Sequence, residues 1–224
     1  MPRPTTSSAC SARPIVRKLL IGLAICLYNC SATAGAYDDI ITAANNGETP
    51  VVMSLLKRGM DVNTADPVGS TLLMIAVRNG HLALVEALLV NRANVNRRNQ
   101  FGDTALLLGA LKARVDAVQR LIDQGAEVNP DGWTPLQYSM FGGSKEVTAM
   151  LIAKGANLDA RAPNGQTALM LAVKLGKLDL VQQLIDADAD MDLTDYDGLS
   201  ALRLALKLGH DEIAAYLRSE GADE

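Results

Sequence analysis

Aromatic side chains are scarce, with two Phe, one Trp and five Tyr in 224 residues. Rings cannot fill the core. With 49% of the residues hydrophobic, the interior must come from small aliphatic side chains, chiefly Ala and Leu, which favour helix. The same composition excludes bulk disorder and collagen. Cysteine is as sparse: Cys10, Cys26 and Cys30 all precede residue 31. From there on, no disulfide or cysteine metal site can form, and the chain suits an oxidising compartment. Long apolar runs are missing too. The longest, Leu19 to Leu27, is about half of the ~20 residues needed to cross a bilayer.

That run follows Arg13, Arg17 and Lys18 and leads into Ala32-Thr33-Ala34-Gly35-Ala36, which is the order of a secretory signal. Residues 1–36 are expected to be a signal peptide cut after Ala34 or Ala36, leaving 37–224 in the periplasm. Secretion or a signal anchor are the alternatives. A lipoprotein is disfavoured, because Tyr28 and Asn29 stand where a lipobox wants small residues. Arg3, Arg13, Arg17 and Lys18 are four of the 21 bases and no acid precedes Asp38, so the remainder carries 17 bases against 25 acids, about −8 net. Such an acidic body argues against nucleic-acid binding. No stable membrane insertion is expected after cleavage.

After residue 37 the chain repeats itself. Gly69 to Gly102 is 33 residues, and Gly132, Gly165 and Gly198 continue at 33, with one shorter step of 30 from Gly102 to Gly132. Leu55, Leu88 and Leu121 keep the same period, as do Asn63, Asn96 and Asn129. Gly132-Trp133-Thr134-Pro135-Leu136-Gln137, Asn79-Gly80-His81 and Asn94-Val95-Asn96 resemble the signature of the ankyrin-repeat family. The resemblance spans essentially everything after residue 37 and implies an all-α solenoid of six helix-pair units with short β-turn fingers. The units fall at about 37–65, 66–98, 99–129, 130–161, 162–194 and 195–224.

Physical roles fit those positions. Gly69, Gly102, Gly132, Gly165 and Gly198 supply the positive φ of each finger turn. Thr71, Thr104, Thr134, Thr167 and Ser200 are expected to cap the first helix of their units. Small residues at Ala43, Ala76, Gly109, Ser139, Ala172 and Ala205 allow close stacking. Gly59, Gly125 and Gly155 end the second helix in a left-handed cap, where Arg92 and Asp188 are expected to cost stability. The terminal units serve as caps, Arg218 standing where inner copies have Leu89, Ile122, Ile152 and Ile185.

Candidates for chemistry are few. His81 and His210 share one repeat position four units apart, which suits a helix start and cannot form a common zinc site. No metalloprotease, nucleophile-elbow or phosphate-loop motif occurs. Asp186, Asp188, Asp190, Asp192, Asp195 and Asp197 lack the central Gly and terminal Glu of a calcium loop and read as a solvated edge. No catalytic residue, cofactor or metal is expected.

What remains is surface. In the family the finger tips and exposed side of the first helices form a concave groove for protein partners, and a monomeric protein-binding module is the expectation. The implied groove holds Phe101, Trp133 and Phe141, both phenylalanines and the lone tryptophan. They serve as binding anchors, or else Trp133 and Phe141 pack together in the gap left by the three missing residues. Arg78, Lys112, Lys174 and Lys207 fall on or near the same side, as a basic row that steers an acidic partner or as solvated helix ends. Asp103, Asn164, Gln166 and Tyr196 are candidate finger-tip contacts. Three uses stay open: an adaptor or accessory of a periplasmic enzyme, an immunity-type inhibitor of a toxic enzyme, and a secreted effector.

Overall fold

A computed structural model describes residues 35–223. The chain falls into two compact units, Met1–Ile40 and Ile41–Glu224. The first is described only from residue 35, so the expected signal peptide up to that point and the three cysteines lie outside the described residues. Among the described residues the elements are helices. Residues 35–46 form α1, followed by α2 (Thr49–Lys57), α3 (Leu72–Asn79), α4 (Leu82–Val90), α5 (Ala105–Leu111) and α6 (Val115–Asp123). After the short finger come α7 (Pro135–Gly142), α8 (Lys145–Ala153), α9 (Ala168–Lys174), α10 (Leu178–Ile185), α11 (Ala201–Leu208) and α12 (Asp211–Ser219). Two isolated antiparallel bridges, Ala65 to Thr71 and Thr194 to Ser200, close the bases of two fingers.

From α2 onward these helices are seven to nine residues long, too short to persist in water alone. Stacking stabilises them. The first helices α3, α5, α7, α9 and α11 pack in one row, and the second helices α2, α4, α6, α8, α10 and α12 in another. A first helix has neighbours on nearly every side, so Leu72–Val77 and Ala168–Val173 are buried without a break. A second helix buries one stripe, as Ala117, Val118 and Leu121 do in α6, and its remaining face meets water.

The capping expectation holds at all five positions. The side chains of Thr71, Thr104, Thr134, Thr167 and Ser200 accept from the backbone N–H of Met74, Leu107, Gln137, Met170 and Arg203. Arg92 and Asp188 do sit at positive φ (61° and 66°), and so does Ala113 at 51°, in a column where the other units have Gly47, Gly80, Gly143, Gly176 and Gly209.

The periodic asparagines are joints between units. Asn96 Oδ1 accepts from Glu127 N–H while its Nδ2 donates to the Gly125 carbonyl. Asn129 repeats both bonds with Asn157 and Gly155 at 2.7 and 2.8 Å. At the next joint Asp159 accepts from Asp190 N–H, but a carboxylate has no proton to offer the carbonyl of Asp188.

Residues at the start of the second helices form another joint. The His81 ring lies over Gly47 and its Nε2 contacts the Asn45 carbonyl at 2.8 Å; Arg114 covers Gly80, Lys177 covers Gly143 and the His210 ring covers Gly176. Neither histidine side chain caps its own helix. The helix-start position is as expected, but the ring reaches back to the preceding unit. Where that glycine is replaced by Ala113, the residue one unit on is the short Ser144, which caps α8 instead.

Candidate functional site

The three-residue deletion shapes the middle of the first-helix face. Between Asn129 and Trp133 only Pro130, Asp131 and Gly132 remain to form a finger. In the same unit, α7 comes so close to α5 that a Cβ on Gly142 would lie 2.4 Å from the Ala110 carbonyl. With the finger shortened and the helices drawn together, Trp133 lies beside α7. Its ring meets Tyr138 edge-on at 6.0 Å and 75° and Phe141 at 6.1 Å and 57°, geometries favoured by ring quadrupoles.

Leu111, Trp133, Tyr138 and Phe141 line a recess of about 390 Å3. Trp133 and Tyr138 are half-buried, and Phe141 remains 44% exposed. The rings pack on one another and still face solvent, so the two roles expected of Trp133 and Phe141, anchoring a partner and filling the gap, each describe part of the arrangement. Phe101 does not join them. It stands on the preceding finger, 74% exposed, with its N–H held by Asn99 Oδ1 at 2.9 Å.

Tyr138 and Leu111 are additions to the expected site residues. Tyr138 occupies the column of Ile75, Leu108, Leu171 and Leu204, and a lone phenol in an aliphatic column is the signal that marks it. Its hydroxyl donates to Asp103 Oδ1 at 2.8 Å. Burial first, then the hydrogen bond and charge of Asp103, push the phenol from 10.0 up to about 12. Asp103 therefore braces the recess from the neighbouring finger, with Asn99 Nδ2 on its other oxygen, instead of extending as a free finger-tip contact.

Gln166 is corrected as well. It is 7% exposed, receives Asn164 Nδ2 at its Oε1, and its carbonyl accepts from Gln137 Nε2. Both bonds hold it inside the joint, away from a partner. Tyr196 is 73% exposed, with its ring over Gly165 of the preceding finger.

The cations flank the recess. Arg78, Leu111, Phe141, Lys174 and Lys207 occupy one column of successive first helices, and Lys112 follows Leu111 as the C-cap of α5. The expected basic row is thus interrupted at its centre by Leu111 and Phe141. Lys112, Lys174 and Lys207 are exposed and Arg78 is half-buried.

Among the described residues no group of three or more His, Cys, Asp or Glu is placed to hold a metal ion. The acidic edge serves the backbone: Asp190 accepts from Asp192 N–H, and Asp195 from the N–H groups of Asp197 and Leu199. No helix among the described residues is long and apolar enough to cross a membrane.

A stacked array of capped helix pairs with an open first-helix face defines a repeat protein built for binding. The family model for ankyrin repeats in three copies matches residues 8–99, 73–162 and 139–224, and the chain belongs to the ankyrin-repeat family, whose repeats are protein-interaction modules. Among solved structures it is similar to the human ASB11 ankyrin repeat domain, with TM-score 0.76 and 26% identity over 82% of this chain and 84% of that one. It is also similar to a chain from the complex of the Bd0816 predatory endopeptidase of Bdellovibrio bacteriovorus with immunity protein Bd3460. There the TM-score is 0.74 at 27% identity, over 81% of this chain and 97% of that one. No curated protein matches the sequence.

Proposed function

We propose that the chain is an exported, non-catalytic binding protein that acts as a monomer and recognises a partner protein through its first-helix face. The recess of Leu111, Trp133, Tyr138 and Phe141 is its anchor point. The observation that carries this reading is the partly exposed ring cluster at the centre of that face, beside a finger short enough to leave it open. Buried aromatic anchors supply a disproportionate share of binding energy, and a preformed solenoid loses little ordering entropy on docking. Export rests on the order of basic, apolar and small residues before Tyr37.

The test is capture from the native compartment on the chain and on its Phe101→Ala, Trp133→Ala, Phe141→Ala triple variant. The partner should be lost on the variant, and equal yield on both would remove the rings from the binding site. The first residue of the purified native protein tests export, because an intact Met1 rules out cleavage.

One observation favours an inhibitor over an adaptor or effector. The likeness to a chain of the endopeptidase–immunity complex extends over nearly all of that chain. An inhibitor abolishes its partner's activity in stoichiometric mixture, an accessory preserves or raises it, and an effector is found outside the producing cell.

A further inference from the structure

Charge is sorted between the two rows of helices. No acid occurs in α3, α5, α7, α9 or α11, whereas α1 at the end of the array carries Asp38 and Asp39, and the second helices carry Glu86, Asp116, Asp123, Glu146, Asp179, Asp211 and Glu212. Several of those acids are already engaged across the outer row, Glu86 with Arg120 at 3.0 Å and Asp179 with Lys145 at 3.2 Å. A molecule with excess negative charge therefore keeps its first-helix ends cationic, on either side of an apolar recess. Acids return on the fingers: Asp131 and Asp197 are exposed, while Asp66, Asp103 and Asp195 accept from Ser70 N–H, the Tyr138 hydroxyl and Leu199 N–H.

From this arrangement we infer that the face takes an extended acidic segment of a partner protein, with one aromatic side chain in the recess and carboxylates beside Lys112 and Lys174. This rests on the binding role proposed above and specifies its ligand. The spacing follows from geometry. Packed helix axes lie about 8–10 Å apart, and an extended chain advances about 3.3 Å per residue. Lys112 is one unit before Phe141 and Lys174 one unit after it. The segment accordingly carries Asp or Glu about three positions to either side of its ring, with further acids about six positions away for Arg78 and Lys207. The ring supplies the desolvated anchor, and the carboxylates steer the approach and fix the register.

The experiment selects a displayed library of random linear peptides against the whole chain as purified. A synthetic peptide of the enriched sequence is then titrated while the emission of Trp133, the single tryptophan, is followed. The expected motif is one aromatic residue with acids about three positions before and after it, and binding should shift the Trp133 emission. Lys174→Glu should weaken that peptide about fivefold at low ionic strength, the range of an exposed ion pair turned repulsive. Repeating the selection on Lys112→Glu, Lys174→Glu should replace the acids by Lys or Arg.

Neutral or basic motifs on the unaltered chain, unchanged affinity after charge reversal, a silent Trp133, or no enriched peptide would each overturn the inference. If the lysines only offset the negative ends of their helix dipoles, reversal leaves peptide choice unaltered. Ring-dependent capture of a native partner, with any of these failures, leaves the broader binding role standing; loss of that capture removes both.

Discussion

Asn129 ties the base of the short finger to the following unit, and replacing it should loosen the anchor recess without touching it. Its side chain accepts from Asn157 N–H at 2.7 Å and donates to the Gly155 carbonyl at 2.8 Å. Both bonds are exposed to water, so each contributes near the low end of the usual range, about 0.5 kcal/mol. Asn129→Ala should therefore cost about 1 kcal/mol. Asn129→Asp keeps the acceptor but sets a carboxylate oxygen against the carbonyl, at a similar cost. The reverse change is available one unit on, where Asp159 already accepts from Asp190 N–H. Asp159→Asn should restore the missing donor towards the Asp188 carbonyl and add about 0.5 kcal/mol. Urea unfolding followed by circular dichroism reads the sum over the array, with a slope of up to about 3 kcal/mol per molar for a chain of this size. The midpoint should fall by about 0.3 M for the Asn129 variants and rise by about half that for Asp159→Asn. Trp133 emission, four residues from the altered site, should move to the red in the folded Asn129 variants. Equal midpoints for the chain and Asn129→Asp, or a fall for Asp159→Asn, would refute the view that this column joins units through paired hydrogen bonds.

Phe141→Ala should weaken the partner more than it weakens the fold. With 44% of the residue exposed, about 90 Å2 out of roughly 200 Å2 is left for a partner to cover. That is about 2 kcal/mol, or thirtyfold in Kd, and a loss of stability with unchanged capture would make the ring a packing residue only. Alkaline pH should loosen the recess, because the raised Tyr138 pKa favours the neutral phenol in the folded chain. The stabilisation is complete below pH 10.0 and lost as the pH rises through about 12, and Tyr138→Phe should flatten that part of a stability-versus-pH curve. Gly142→Ala should cost about 1–3 kcal/mol by overpacking, since its methyl would meet the Ala110 carbonyl; an unchanged thermal midpoint would show that α5 and α7 part freely.

Repetition made the fold legible. Five finger glycines, five hydroxyl caps and an asparagine column appear in phase, and each such residue answers a backbone requirement that recurs in every unit, so the pattern carries its own physical reason. The site is legible only in part, because it is where the copies stop agreeing. Trp133 and Phe141 stand out as rare residue types on the expected face. Tyr138 is marked only as a phenol in an aliphatic column, and Leu111 and Gly142 are not marked at all, since their importance depends on how close α7 lies to α5 beside the shortened finger, a distance no single column contains. Asp103 and Gln166 fail as surface contacts for a related reason. Their positions are exposed or buried according to what the adjacent unit presents: Tyr138 offers Asp103 a proton, and Gln137 draws the Gln166 carbonyl inward. A solenoid unit specifies its own caps and turns but shares its surface with its neighbours. Specificity in such an array is therefore set by departures from the repeat, and here the deletion, the three adjoining rings and the break in the cation column all occur where the third and fourth units meet.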